Sequence, residues 1–128
     1  MKLPFIKPVY AHCDLPCGVY DPAQARIEAE SVHMIMQKYD GLGHEEDRWR
    51  AVMIKEQRAE LVKHHLWVLW TDYFKPEHLE KYPQLHDLFW HATKQAGACK
   101  KTTDPAEGQK LLDQIDEIAR IFTETKQA

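Results

Sequence analysis

Apolar residues recur along this chain at intervals of three and four, in four segments separated by short stretches rich in proline, glycine and acidic residues. No comparable run alternates with a period of two, so the pattern predicts an all-α fold. The first helix should start at Asp21-Pro22, where the aspartate supplies an N-cap acceptor and proline tolerates the first turn, and end near Gly41. A second runs from about His44 to Asp72. A third follows Lys75-Pro76, with Leu79, Tyr82, Leu85, Phe89 and Ala92 facing inward and Pro83 in its first turn. The fourth starts at Asp104-Pro105 and carries the cleanest stripe, Leu111, Ile115, Ile118 and Phe122. Segment 97–103, GACKKTT, reads as a loop that exposes Cys99 to oxidation. Four helices with short links predict an antiparallel up-and-down four-helix bundle.

Two charges interrupt the apolar stripes. Glu28 shares a face with Val32, Ile35 and Tyr39, and Arg58 shares one with Ile54, Leu61, His65 and Val68. A carboxylate and a guanidinium so placed are expected to pair with each other, because an unpaired charge at a packed position is costly. On these residues alone, an ion pair joining two helices is the simpler reading.

The chain has 128 residues, enough for one domain, and its 17 lysines and arginines against 20 aspartates and glutamates give a net charge of −3. That balance, without a basic stripe, argues against nucleic-acid binding. Apolar runs such as Leu66 to Trp70 fall far short of the roughly 20 residues needed to cross a bilayer, so no membrane partner is expected. The opening MKLPFIKPVYA lacks the apolar run of about 7–15 residues that marks a secretory signal. With three cysteines and no such signal, thiol or metal chemistry in the cytoplasm is expected over a secreted disulfide framework.

The densest chemistry is HCDLPCGVYDP, residues 12–22, with one histidine and two cysteines within six positions. A closed zinc site usually takes a second ligand pair, which is missing. A Cys-x3-Cys loop bent by Pro16 and Gly18 can bring two thiolates to one metal edge. Soft thiolates with nitrogen ligands suit nickel or copper better than calcium or magnesium, and stabilise the higher oxidation state of a redox metal.

The stretch HCDLPCGVYDPAQARIEAES resembles the start of mature nickel superoxide dismutases. IKEQRAEL at 54–61, KHH at 63–65, LWTDYFKP at 69–76, EKYPQLH at 80–86 and DPAEGQK at 104–110 extend the likeness to the C-terminus. The resemblance implies one nickel ion per subunit, bound by the α-amino nitrogen and imidazole of His12, the backbone nitrogen and thiolate of Cys13, and the thiolate of Cys17. It places Glu28 and Arg58 behind the axial imidazole of His12, where a carboxylate held by arginine fixes ring direction and tautomer. Pro16 resembles the proline that shapes the family's hook, residues 12–20 here, and Asp14 is grouped with these supporting residues. Tyr20 matches a tyrosine beside the metal and is the expected proton relay, while Tyr73 and Lys75 match groups along the access route.

The implied reaction is disproportionation of superoxide into dioxygen and hydrogen peroxide, with nickel alternating between its divalent and trivalent states. The family forms hexamers, which suits four tryptophans, Trp49, Trp67, Trp70 and Trp90, in so small a core. One feature departs from the mature pattern: His12 lies inside the chain, so its nitrogen is an amide. Residues 1–11 are therefore expected to be a propeptide-like extension to the domain 12–128, removed by a maturation protease that cuts between Ala11 and His12. The alternative is a non-enzymatic helical protein that binds metal or senses redox state through the Cys-x3-Cys loop. His64, His65, His78, His86 and His91 are expected outside the site, the last three on the surface.

Overall fold

The computed structural model describes residues 18–127. Four long helices form the bundle: α1 (Ala23–Tyr39), α2 (Glu45–Val68), α4 (Leu85–Lys100) and α5 (Pro105–Gln127), with a short α3 (Pro76–Lys81) between α2 and α4. Around the square, α1 packs on α2 and α5, and α4 packs on α2 and α5. Short connections make α1 antiparallel to α2 and α4 antiparallel to α5; α2 and α4 also run antiparallel, since Lys55 early in α2 reaches Cys99 late in α4 while Trp70, just after α2, meets Phe89 early in α4. Among the described residues there is no strand, and no helix is long and apolar enough to cross a membrane.

The two Asp-Pro starts work alike. Asp21 Oδ1 accepts the Ala23 N–H at 2.8 Å and Asp104 Oδ1 accepts the Ala106 N–H at 3.0 Å, so each carboxylate satisfies an amide that the first helical turn leaves orphaned.

The core differs from the expected stripes in one respect. On α5, Leu111, Ile115, Ile118 and Phe122 are all buried, as the pattern predicts. On α1 the buried stripe is Ala25, Ala29, Val32 and Met36, and on α2 it is Lys55, Ala59, Val62 and Leu66. The stripe containing Arg58 is thus rotated away from the centre, and the stripe containing Glu28 reaches it only at Val32. The rotation on α2 is one residue, about 100° around the helix.

Lys55 explains why the true α2 stripe is hard to see. It is fully buried, yet its Nζ donates to the carbonyl oxygen of Cys99 and, at 2.9 Å, to that of Lys100. An ammonium at the C-terminal end of α4 satisfies carbonyls that have no intrahelical partner and opposes the helix dipole. This cap corrects the loop expected at 97–103: α4 continues through Lys100, and Cys99 is buried in its last turn, with its thiol donating to the Glu107 carbonyl at 3.4 Å.

The expected third helix is two helices. Pro83 lacks the N–H a continuous helix needs and stands between α3 and α4, with the Leu85 N–H turning back to the Tyr82 carbonyl at 3.0 Å. Leu79 is consequently exposed, whereas Tyr82, Leu85, Phe89 and Ala92 face inward as expected.

Candidate metal centre

The described chain begins at the last turn of the hook. Gly18 has φ +67°, a left-handed conformation that glycine reaches without Cβ strain, so the bend expected of it is present. His12, Cys13, Asp14, Pro16 and Cys17 lie outside the described residues. Among the described residues, no three histidine, cysteine or acidic side chains gather as a metal site.

Beyond Gly18, Tyr20 packs its ring 5.7 Å from that of Tyr73. Tyr73 reaches this position because the end of α2 widens into a π-helical turn, Leu69–Tyr73, closed by the Phe74 N–H donating to the Leu69 carbonyl at 3.0 Å. Such single turns re-aim side chains at the end of an α-helix and recur at functional sites. The Tyr73 ring also lies 4.5 Å from Phe122 and stacks nearly parallel to His78 at 5.8 Å.

The proton on Tyr73 has a fixed destination. Thr125 Oγ1 donates its only hydrogen to the Phe122 carbonyl at 2.6 Å, so in the 2.8 Å contact between the two hydroxyls Tyr73 is the donor. The Tyr73 phenol thus points its hydrogen toward α5.

Lys75 is exposed at the N-cap of α3, and its backbone N–H donates to His78 Nδ1 at 3.1 Å. Accepting there requires Nδ1 to be unprotonated, and burial lowers the pKa of His78, with the Lys75 charge adding to the effect. His78 is therefore half-buried and built into the turn, which corrects its expected surface position; His86 and His91 are exposed as expected. A second cation, Lys126, sits over the Tyr73 ring at 5.3 Å.

Glu28 and Arg58, thirty residues apart, do meet. Arg58 Nη1 donates to Glu28 Oε2 at 3.1 Å and Oε1 at 3.3 Å. The glutamate side chain is 16% exposed and the arginine 41%, so the carboxylate is the more enclosed partner.

The profile of one family, nickel-containing superoxide dismutase, matches residues 7–126. The chain belongs to that family. A superoxide dismutase [Ni] of Streptomyces seoulensis is 62% identical over 120 residues, 94% of this chain and 92% of that protein. Its counterpart in Streptomyces coelicolor is 61% identical over the same shares. Among solved structures, a Ni-containing superoxide dismutase with Ni-ligation corresponding to the oxidized state is 62% identical, with a TM-score of 0.89, covering 91% of this chain and all of that one. A native nickel superoxide dismutase structure is 61% identical, with a TM-score of 0.88 and the same coverage.

Within this family member, the residues that sequence reasoning missed are those behind Tyr73. Thr125 lies three positions after Phe122, on the same face of α5 as the recognised apolar stripe, so the helical spacing carried that signal. His78 gave no such sign, because its role depends on the N-cap geometry of a six-residue helix.

Proposed function

We propose that this chain, once residues 1–11 are removed, disproportionates two superoxide ions and two protons into dioxygen and hydrogen peroxide. Family membership carries the reaction class. The observation that carries the site is the Arg58–Glu28 contact, which gathers the two residues expected behind the His12 imidazole.

The donor set suits nickel: two thiolates from Cys13 and Cys17, the His12 imidazole and nitrogens at positions 12 and 13 would hold it. The chemistry the metal supplies when bound is a one-electron couple. The protein supplies the rest. Glu28, kept in place by Arg58, fixes the direction of the His12 ring. Tyr20 delivers protons, a role for which Tyr73 is poorly placed because its hydroxyl hydrogen is committed to Thr125. Lys75 draws the anionic substrate toward the ring cluster.

A free α-amine at position 12 requires cleavage after Ala11; a chain reduced to residues 12–128 would be similar in length to the part of this chain, 91%, that the solved relatives cover. Assembly into a hexamer is supported by a strip on α2, where Trp49, Val52 and Met53 stand exposed at helical spacing.

The deciding experiment compares the full-length chain with one that starts at His12, measuring bound nickel and superoxide consumption. The trimmed chain should hold one nickel ion and be active, and the full-length chain should be inactive. Metal binding before cleavage without dismutase activity would instead favour a metal-carrying protein.

A further inference from the structure

A groove between the end of α2 and the first half of α4 takes no part in the site above. Trp67, Trp70, His86, Phe89, Trp90 and Thr93 line a recess of about 200 Å3. Its floor is packed, with the Trp70 ring 5.1 Å from Phe89 and 5.4 Å from His86. Its walls are not: Trp67 is 44% exposed and Trp90 is 54% exposed. Single exposed apolar side chains are ordinary, but two tryptophans flanking one recess have the form of a binding anchor.

The chain itself carries a segment suited to that recess. Residues 1–11, MKLPFIKPVYA, hold Leu3, Phe5, Ile6, Val9 and Tyr10 around Pro4 and Pro8, and contain no acid. Prolines restrict the free chain, so docking orders little that was not already limited, and aromatic-lined grooves are the surfaces such segments fit. The groove is also close to the start of the described chain. From Tyr20, ring contacts step 5.7 Å to Tyr73, 5.0 Å on to Phe74 and 5.5 Å on to Phe89, a line through the core that sets the straight distance and that the leader must skirt. The fourteen residues between Phe5 and Tyr20 can span about 45 Å when extended, enough to go around those rings.

We propose that in the uncleaved chain this groove is the docking site of the chain's own leader, with Phe5 and Ile6 seated between Trp67 and Trp90. Docking there tethers the hook from its N-terminal side while Tyr20 tethers it from the other. The interaction belongs to the full-length chain alone and holds whether or not the trimmed protein consumes superoxide.

Photo-crosslinking tests it directly. With benzoylphenylalanine replacing Phe5 in the full-length chain, irradiation followed by peptide mapping should join the leader to 67–70 or 89–93 of the same chain, as judged from a mixture of isotopically light and heavy protein. Separately, in a Trp49→Phe background, Phe5→Ser with Ile6→Ser should raise acrylamide quenching of tryptophan fluorescence, since both changes lie outside the bundle. Cross-links elsewhere, none at all, or links only between light and heavy chains would overturn the proposal, as would unchanged quenching; links between chains would give the groove to a second copy.

Discussion

Arg58 contacts both carboxylate oxygens of Glu28 with a single guanidinium nitrogen, at 3.1 and 3.3 Å, and so ties α2 to α1 at the edge of their interface. Because the arginine is 41% exposed, the pair should add little to stability, about 0–1 kcal/mol. Its proposed role is to orient the His12 ring, and loss of such a supporting partner typically costs about 10–100-fold in metal affinity or activity.

Arg58→Ala in the chain starting at His12 should therefore leave the urea midpoint nearly unchanged while weakening nickel retention and dismutase activity by about 10–100-fold. Unfolding curves and nickel titration separate the two effects. A large fall in the midpoint with full metal affinity would reduce the pair to a helix clamp.

The same pair shows how much of the site was legible in the sequence. Two charges on apolar stripes, thirty residues apart, were enough to predict their contact, because a charge near packed neighbours needs a partner wherever the chain runs. Apart from Val32, the stripes themselves were displaced from the core. On α2, the buried face carries Lys55, a charge that side-chain patterning counts against burial, yet Lys55 is buried against carbonyls at the end of α4. A backbone partner leaves no trace in side-chain patterning, so neither the cap nor the full length of α4 could be read. The break at Pro83 and the π-helical turn before Phe74 are likewise decided by local hydrogen bonds.

Gly108 marks a close approach of α5 to α1. A Cβ there would meet His33 Cα, His33 Cδ2 and Met36 Sδ, each at 3.0 Å. Alanine in a helix interior gains about 0.5–1 kcal/mol over glycine, whereas overpacking a filled contact costs about 1–3 kcal/mol. The contact includes backbone, which cannot swing aside, so packing wins. Gly108→Ala should lower stability by about 1–2 kcal/mol in chemical denaturation; a stabilised variant would mean that α5 shifts freely.

Cys99 gives the fold a measurable alkaline weakness. Burial, reinforced by Glu107, pushes its thiol from 9.0 up to about 11. The unfolded chain therefore releases this proton first, so the group's contribution is fully present below pH 9 and is lost as pH rises toward 11, amounting to about 2–3 kcal/mol. Lys55 acts oppositely: burial lowers its pKa, so its own contribution grows as pH rises toward 10.5. Comparison with Cys99→Ala separates them. The wild-type chain should lose stability more steeply than the variant between pH 9 and 11 in urea unfolding, and parallel curves would show that the buried thiol ionises as easily as a free one.

Lys75 and Lys126 are both exposed near Tyr73, but Lys126 is drawn over the aromatic faces of Tyr73 and Phe122, whereas Lys75 stands at the N-cap of α3. For a small anionic substrate, an exposed charge beside the proposed route should alter the encounter rate, and salt screens that effect. Lys75→Glu should slow superoxide consumption by about 2–10-fold at low ionic strength and flatten its salt dependence, with nickel content unchanged. Lys126→Glu should do less, because it changes a charge already engaged with the rings. Equal losses in the two variants would point to the summed field of this end of the bundle, and an unchanged rate in Lys75→Glu would remove that residue from the route.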